Sequence, residues 1–327
     1  MISPLPKTSR SWTAVRYGGP EVLELRSAPL VRPCGKQLLI QVQATTVSAG
    51  DRRIRALDFP RGMGLLGRAI FGFGGPRRRV LGSELTGIVV AVGEQVTLFV
   101  VGDGIIAFPG AKGGGHAEHV LLDEGQVAVR RPTGMKLEVA AALGFGGTTA
   151  RDFLRRSRLQ AGERVLVIGA SGTVGSAIVQ LAAHAGARVT AVTSAGNADL
   201  VRGLGASDVI DYTARGLADD HVKYDIVADT VGSMIFSEAC PLLKVGGRFL
   251  AINGGLGDML ASTRNGRRCI AGPARVTSED LRELSSLCKQ GLFTPLIDRV
   301  LSFEALPAGH GRVDSGRKRG AVVIMVS

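Results

Sequence analysis

Residues 164–175 read RVLVIGASGTVG, and this stretch decides the fold. Its first five residues form a short β-branched run of the kind that is buried on both faces of a parallel sheet. Three glycines follow at G-x-x-G-x-x-G spacing, and apolar residues then recur at helical spacing from Val174 to Ala182. A strand, a glycine loop and a helix in this order form the setting in which a helix N-terminus binds a diphosphate. The residues expected to bind a dinucleotide are therefore Gly169, Ala170, Ser171, Gly172, Thr173, Val174 and Gly175; the alternative is a turn with a structural role alone.

Strands and helices continue to alternate after this loop. The further strands are expected at Arg188–Thr193, Asp208–Tyr212, Tyr224–Asp229 and Arg248–Ile252, with a helix at Asn197–Leu204 after the first of them. Strands that alternate with helices predict an α/β domain built on a parallel, doubly wound sheet.

The segments on either side have a different texture. Residues 12–125 are β-rich, and the chain ends on a polar helix, Ser278–Gln290, and a strand, Ala321–Val326. A chain of 327 residues suits two domains, and the simplest architecture inserts residues 126–271 between two segments, 1–125 and 272–327, of one β-rich domain. A cleft between the two domains is the natural ligand site. Residues 58–79, rich in Arg and Gly and without a clear period, predict a loop or an irregular lid.

The end of the second strand bears on the choice between NAD and NADP. An acid there binds the ribose 2′-hydroxyl and repels a 2′-phosphate, but this chain has Thr193, Ser194 and Asn197 and no acid. Hydroxyls and an amide donate to a phosphate without repelling it, so NADP is favoured. Because no Lys or Arg follows directly, the positive partner of the phosphate has to come from elsewhere, and Arg317–Arg319 is one candidate.

Composition limits the partners and the compartment. The net charge of +12 favours an anionic partner such as a nucleotide. The basic residues are dispersed and aromatics make up only 5% of the chain, so nucleic acid is not expected. No run approaches about 18 apolar residues, so neither a membrane span nor a membrane partner is expected. The N-terminus lacks the pattern of a signal peptide, which predicts a cytoplasmic protein. Four scattered cysteines without a CxxC pair argue against a disulfide scaffold and a four-thiolate zinc site.

Several ordered motifs, taken together, resemble one family. The most specific is residues 159–175, LQAGERVLVIGASGTVG; the others include GSELTG at 82–87, GHAE at 115–118 and GGR at 246–248. From about Val15 to Val326 the chain resembles the medium-chain dehydrogenase/reductase superfamily, in its zinc-free quinone oxidoreductase-like (enoyl reductase) branch. This resemblance implies a GroES-like β-rich catalytic domain with an inserted Rossmann domain. It also implies a nicotinamide in the cleft between the domains and a homodimer.

The zinc ligands of the superfamily can be sought directly. Zinc-dependent relatives carry Gly-His-Glu where this chain has Gly82-Ser83-Glu84, and a Cys where it has Ser48. Serine is a poor Zn²⁺ ligand at neutral pH. His116 and His119 lie in a segment that reads as extended, so we expect them to face opposite sides and to lie on the surface. The protein is expected to hold no metal.

Without zinc, an alcohol or aldehyde loses its Lewis acid, whereas a quinone or a conjugated C=C remains reducible. The resemblance then implies NADPH as the hydride donor. The better-known quinone reductases carry a Tyr two positions after an Asp, where this chain has Asp51 and Arg53. Both residues are catalytic candidates, Arg53 because a guanidinium stabilises an oxyanion. Their structural alternatives are an Arg53 ion pair, with Asp51 or a surface carboxylate, and a loop-capping role for Asp51.

Further cofactor contacts follow from the resemblance. It implies Tyr212 near the 2′-phosphate, Asn253 and Gly254 near the nicotinamide amide, and Thr149 beside the cleft. Packing of Tyr212 on a helix and capping by Thr149 are the alternatives. The function expected is NADPH-dependent reduction of a small quinone or α,β-unsaturated carbonyl. An alcohol or aldehyde dehydrogenase is the enzymatic alternative, and a crystallin-like or RNA-binding role is the non-enzymatic one.

Overall fold

The structure is a computed structural model that describes residues 5–214, 216–217, 222–261 and 263–326. Its strands are β1 (Thr8–Ala14), β2 (Leu23–Pro29), β3 (Gln37–Val47), β4 (Leu85–Val92), β5 (Gly104–Ala107), β6 (His119–Asp123), β7 (Ala128–Arg130), β8 (Arg164–Ile168), β9 (Arg188–Thr193), β10 (Asp208–Asp211), β11 (Tyr224–Asp229), β12 (Leu243–Ala251), β13 (Thr263–Arg264), β14 (Arg267–Ala271), β15 (Ile297–Ser302) and β16 (Ala321–Met325). Its α-helices are α1 (Ala49–Ala56), α2 (Gly64–Phe71), α3 (Leu137–Ala141), α4 (Thr149–Ser157), α5 (Thr173–His184), α6 (Ala198–Gly203), α7 (Phe236–Ala239), α8 (Leu256–Leu260), α9 (Ser278–Lys289) and α10 (Leu306–Asp314).

The nucleotide-binding sheet has the strand order β10-β9-β8-β11-β12-β14-β13, with all neighbours parallel except the edge pair β13 and β14. From β8 the chain moves outward through β9 to β10, then returns to β11 on the other side. The carboxyl ends of β8 and β11 therefore form the topological switch point at which such sheets bind ligands. The predicted doubly wound parallel sheet is confirmed, and the predicted bounds of β8, β9 and β11 match those observed.

Strand β8 is buried on both faces, as its β-branched run predicts. Val165 and Val167 pack into one core cluster with residues of α4 and α5. Leu166 and Ile168 point to the opposite face and pack in a second cluster with Phe236 and Phe249. Alternation of side chains along the strand assigns successive residues to the two layers of helices.

The second sheet has the strand order β15-β16-β3-β4-β5-β7, and β6 also pairs with β3. Strand β16, at the end of the chain, pairs antiparallel with β3 near its beginning. The two ends of the chain therefore build one domain, and the segment between them is inserted. This confirms the predicted GroES-like β-rich domain with an inserted Rossmann domain.

The domain boundaries differ from those predicted at 126 and 271. Strand β7 lies after residue 126 but pairs with β5 in the antiparallel sheet, so the chain enters the inserted domain later. Leu281 and Leu284 of α9, together with Phe293, lie after residue 271 but pack in the core of the nucleotide-binding domain. The polar surface of α9 conceals this apolar edge in the sequence.

Residues 58–79 contain a helix that the sequence interpretation missed. Helix α2 occupies 64–71 within the segment predicted to be an irregular loop. Three of its apolar side chains, Leu65, Leu66 and Ile70, are exposed, so the segment lacks the usual pattern of a helix with an apolar face on the core. Among the residues described, no helix is long and apolar enough to cross a membrane.

Candidate functional site

The glycine loop connects β8 to α5 as predicted. Gly169 has φ +78°, in the region that favours glycine, and Gly172 is the N-cap of α5. A Cβ on Gly175 would lie 2.1 Å from the carbonyl oxygen of Gly169, so this position requires glycine for the helix to pack on the loop. At Gly172 a Cβ would meet the same oxygen at 3.2 Å. The free N–H groups of the first turn of α5 therefore lie beside a loop that a ligand can approach closely.

A cavity of about 680 Å³ opens at this loop and contains many of the predicted cofactor residues. The predicted residues that line it are Gly169, Ser171, Gly172, Thr193, Ser194, Asn197 and Tyr212. Ala170, Thr173, Val174 and Gly175 belong to the same loop and helix turn but do not line the cavity. Tyr212 is 61% exposed, so it is available to a ligand in the cavity.

A cluster of hydroxyl and amide groups lies at the carboxyl ends of β8 and β9. Asn197 Nδ2 donates to the hydroxyl oxygens of Ser171, Thr193 and Ser194 at 3.1–3.2 Å. Thr193 Oγ1 donates to Ser171 Oγ at 3.1 Å. Asn197 Oδ1 is buried and has no hydrogen-bond partner within the described part of the chain. An acceptor left open in this way fits a ligand hydroxyl in the cavity.

The basic segment 317–319 also lines this cavity. Gly320 N donates to Ser171 O at 2.9 Å, which holds the C-terminal segment against the glycine loop. The guanidinium of Arg319 reaches the carbonyl oxygen of Gly196 at 3.4 Å, in the turn that follows Ser194. The positive group sought at the end of β9 is therefore supplied from more than 100 residues away.

Lys318 lies at the N-terminus of α5. Its Nζ donates to Thr173 Oγ1 and, at 2.7 Å, to Gly320 O. Burial lowers the pKa of Lys318 to about 8, against smaller opposing effects of Asp298 and Glu84. Among the described residues that line the cavity there is no carboxylate. Asp211 lies nearby at the end of β10, where hydrogen bonds from Thr213 lower its pKa.

A second cavity, of about 780 Å³, adjoins the first at Ser233, which lines both. Asn253 lines this second cavity, and its Oδ1 accepts a short hydrogen bond from the guanidinium of Arg53. Asn253 Nδ2 donates to Val231 O at 2.9 Å. Burial lowers the pKa of Arg53 from its usual value, although an arginine remains protonated at neutral pH. The structure thus joins a catalytic candidate of one domain to a cofactor candidate of the other.

The Arg53 guanidinium forms no ion pair with any of the described residues; its side-chain partner there is the amide oxygen of Asn253. Asp51 behaves as a capping carboxylate: it accepts from Ser48 N and Ser48 Oγ, and from Gly82 N at 2.9 Å. Asp51 is 2% exposed and forms a capping box at the start of α1. A catalytic role for either residue stays a prediction.

Two other predicted residues lie outside both cavities. Thr149 is the first residue of α4, directly after a π-helical turn, Gly144–Thr148. Gly254 follows β12, and its N–H donates to Ala251 O at 3.1 Å. Their cofactor contacts stay predictions.

Ser48 and Ser83 occupy the two positions at which zinc-dependent relatives have Cys and His. Their Oγ atoms lie 3.2 Å apart, so the fold does bring these positions together. The third group, Glu84, is buried; one of its oxygens accepts from Thr46 Oγ1 and the other from Phe145 N. Burial raises the pKa of Glu84 to about 7. Two hydroxyls and an engaged carboxyl group do not fit a catalytic zinc ion.

The interpretation of His116 as a surface residue is wrong. Its side chain is fully buried, and its Nε2 pairs with Thr46 O at 2.9 Å. Its ring lies edge-on to that of His310, 5.3 Å away, and burial lowers the pKa of both rings. Spacing along an extended segment says which residues share a face, but not whether a later helix, here α10, covers that face. His119 is half-buried, with Nδ1 3.2 Å from Ser9 Oγ.

The sequence interpretation also missed several residues that line the cavities. Val231 and Ser233 follow β11, and Phe59, Pro60 and Arg61 enter the second cavity from the lid segment. A strand end at Asp229 is the signal that could have indicated Val231 and Ser233, since the carboxyl ends of parallel strands meet at one edge. No local pattern marks residues 59–61.

Comparison with known proteins identifies the family. A family model described as the alcohol dehydrogenase GroES-like domain matches residues 35–151, and one described as zinc-binding dehydrogenase matches residues 204–324. The 2-methylene-furan-3-one reductase of Solanum lycopersicum is 30% identical over 335 residues, which cover 98% of this chain and 80% of the relative. The chloroplastic NADPH-dependent alkenal/one oxidoreductase of Arabidopsis thaliana is 30% identical over 334 residues, with the same coverage. The solved quinone oxidoreductase of Coxiella burnetii shares the fold at a TM-score of 0.87 and 24% identity, covering 98% of this chain and 100% of that one.

The fold and the paired cavities thus define a two-domain oxidoreductase. The chain belongs to the medium-chain dehydrogenase/reductase superfamily, in its quinone oxidoreductase-like branch.

Proposed function

We propose that the protein is a metal-free, NADPH-dependent oxidoreductase that reduces a quinone or the conjugated C=C bond of an α,β-unsaturated carbonyl compound. The observation that carries this proposal is one cavity whose described lining residues include no carboxylate, and which Ser194 of the hydroxyl cluster lines together with Arg319. This cavity adjoins a second one that contains Asn253. The names of two relatives support it: one is an alkenal/one oxidoreductase that depends on NADPH, and the other a reductase of a methylene-furanone.

The chain has groups for each part of NADPH. The N–H groups at the start of α5 and the ammonium of Lys318 suit the diphosphate. Arg319 and Ser194 suit the 2′-phosphate, because a guanidinium forms strong charge-assisted hydrogen bonds with phosphate. Tyr212 is exposed at the same cavity, and Asn253 lines the second cavity. Bound NADPH supplies the hydride.

Arg53 is the group proposed to stabilise the product oxyanion. When a conjugated carbonyl or a quinone accepts hydride, negative charge develops on its oxygen. Arg53 is half-buried and keeps its positive charge, and its partner Asn253 lines the second cavity. Asn253 engages one guanidinium nitrogen, and the other N–H groups, which have no partner among the described residues, are the proposed donors to that oxygen. Because a guanidinium is a poor acid, solvent supplies the proton that completes the product.

The side chains at the zinc position of the superfamily support a protein without a resident metal. Ser48 and Ser83 replace thiolate and imidazole, and neither hydroxyl is a strong zinc ligand at neutral pH. An alcohol substrate would need such an ion as a Lewis acid, whereas an enone delocalises its charge onto oxygen. A small-molecule substrate, a homodimer, a cytoplasmic location and no nucleic-acid partner complete the proposal, all on the family resemblance and the composition.

A substrate survey tests the proposal. NADPH oxidation is measured with quinones, enals, enones and saturated aldehydes, with NADH in parallel. We expect turnover with at least one of the first three classes, faster with NADPH, and none with saturated aldehydes. Turnover confined to aldehydes or alcohols would contradict the proposal, as would an equal or stronger response to NADH. Arg53→Gln should lower kcat with little change in the Kd for NADPH.

A further inference from the structure

Helix α2 has one face that is apolar and uncovered. Leu65, Leu66 and Ile70 are 77%, 49% and 54% exposed, and Phe73, just beyond the helix, is 62% exposed. Leu66 and Ile70 are spaced i, i+4 and share a face of the helix, and Leu65 adjoins Leu66. Gly64 and Gly74, at the two ends, have open space where a Cβ would stand. We call these four side chains the lid face. A cluster of large apolar side chains in solvent marks a surface that binds something.

Packing on the opposite side of α2 holds the lid face outward. Phe71 stacks on Phe59 with ring centroids 5.3 Å apart and planes at 15°. Gly67 lies so close to Phe59 that a Cβ there would be 2.5 Å from its ring. Tyr17 Oη donates to Gly72 O at 2.7 Å and fixes the end of the helix. The exposure of the lid face is therefore built into the packing of this segment.

The segment that carries the lid face has charged residues of a single sign. Residues 59–83 contain five arginines and no acidic residue, and all five side chains are exposed: Arg61, Arg68, Arg77, Arg78 and Arg79. An apolar helix face flanked by arginines is the composition of helices that lie in a membrane interface. Anionic headgroups attract such a cluster at about 1 kcal/mol for each basic residue near the surface.

The same composition argues against a protein as the partner. From residue 59 to residue 82 every polar side chain is an arginine. Specific protein interfaces use directional hydrogen bonds, about one for each 100–200 Å², and favour Tyr and Trp as well as Arg at their centres. The segment offers aliphatic and phenyl groups for insertion and guanidinium donors for anions, but no Tyr, no Trp and no side-chain hydrogen-bond acceptor. Apolar side chains that insert and basic groups that attract anionic headgroups are sufficient for binding to a lipid surface.

The segment that carries the lid face also borders the second cavity. Arg61 O accepts from Leu256 N at 3.1 Å, so the base of the lid rests on the nucleotide-binding domain. Phe59, Pro60 and Arg61 line the cavity that contains Asn253. A bilayer against the lid face would therefore lie beside the segment that forms one wall of this cavity.

We propose that the lid face docks the protein, peripherally and reversibly, on membranes that contain anionic lipids. The sequence led us to expect no membrane partner because it lacks a spanning segment. An interfacial helix requires none, since it inserts only its apolar side chains below the headgroups.

Vesicle sedimentation tests the proposal on the whole protein. Phosphatidylcholine vesicles are compared with vesicles that also contain phosphatidylserine, at low and high salt. We expect binding to the anionic vesicles alone, weakened by salt. The triple variant Leu65→Ser, Ile70→Ser, Phe73→Ser and the triple variant Arg77→Ser, Arg78→Ser, Arg79→Ser should each lower the partition coefficient at least about tenfold. Matched controls change exposed valines elsewhere (Val31→Ser, Val245→Ser, Val300→Ser) or exposed arginines elsewhere (Arg32→Ser, Arg188→Ser, Arg299→Ser), and should bind like the unmodified protein.

A second measurement asks whether this face inserts. Phe73→Trp places a reporter on the lid face, while Trp12 is half-buried and donates its Nε1 to Phe303 O. Emission of the new tryptophan should shift to the blue with anionic vesicles and be quenched by brominated lipid. Equal binding to both vesicle types would overturn the proposal. So would binding that depends on the arginines but not on the apolar residues, which would indicate an acidic partner without insertion. Unchanged emission of the reporter would overturn it as well.

Discussion

Ser48 Oγ and Ser83 Oγ lie 3.2 Å apart, although 35 positions separate them in the chain. The fold therefore brings together the two positions at which zinc-dependent relatives carry Cys and His, but this chain has a hydroxyl group at each. Ser48 donates to Asp51 at 2.6 Å, which ties it to the cap of α1. In this protein Ser48 and Ser83 therefore belong to a local hydrogen-bond network with Asp51.

The first prediction concerns metal removal. Exhaustive dialysis against a strong chelator should leave turnover of a quinone or enone unchanged, because neither serine is a strong zinc ligand. Steady-state rates before and after dialysis check this, with zinc then added back. A loss of activity that stoichiometric zinc restores would contradict the metal-free proposal and return the substrate class to alcohols and aldehydes.

The second prediction separates the two roles of the glycine loop. Gly172→Val should abolish NADPH binding while the protein stays folded, because its Cβ meets only Gly169 O, at 3.2 Å, and the position lines the cavity. Gly175→Val should destabilise the fold by more than about 3 kcal/mol, because its Cβ would lie 2.1 Å from the same backbone oxygen.

Fluorescence titration and thermal unfolding distinguish these outcomes, with Gly162→Val as a control at a glycine that has open space around it. Because Gly162 has φ +81°, this control should cost some stability but no cofactor affinity. Retained NADPH affinity in a well-folded Gly172→Val variant would show that the loop is only a structural turn.

The third prediction concerns the 2′-phosphate. Arg319→Gln should weaken NADPH binding about ten- to hundredfold, the usual effect of one charge-assisted hydrogen bond, and should change NADH binding little. Titration of both cofactors measures the ratio. Arg299→Gln, at an exposed arginine outside the cavity, is the matched control. A parallel loss of affinity for NADH would mean that Arg319 acts on the fold of the loop instead of on the phosphate.

These predictions draw on residues that the sequence indicates to very different degrees. The dinucleotide loop at residues 164–175 can be predicted from the sequence alone. Its strand, glycine loop and helix are contiguous, and each has its own periodic or conformational signature. The contact of Arg53 with Asn253 joins positions 200 residues apart, and no local pattern encodes it. The charge of Arg319 makes it a candidate, but its place at the cavity depends on the hydrogen bond from Gly320 N to Ser171 O, which no local pattern encodes.

The errors have a common physical origin. Burial of His116 depends on α10, which arrives nearly 200 residues later, and the extended segment around His116 carries no trace of it. Helix α2 is not predicted because a soluble helix is recognised by an apolar face that packs on the core. The apolar side chains of α2 are exposed to solvent instead. In both cases, contacts between distant segments determine which side chains are buried, and the local sequence pattern does not contain this information.

The last prediction uses the low pKa of Lys318. Burial lowers it to about 8 from a usual 10.5, so the folded protein binds fewer protons than the unfolded chain between these two values. Stability of the cofactor-free protein should therefore rise with pH across this interval, relative to a Lys318→Met variant. NADPH affinity should change in the opposite direction, since a diphosphate stabilises the ammonium form. It should fall by up to about tenfold for each pH unit above 8, and by less in the variant. Unfolding by denaturant and cofactor titration at matched pH values measure the two trends. If both quantities moved in the same direction, or if Lys318→Met left the two pH profiles unchanged, Lys318 would not be the group that links protonation to cofactor binding.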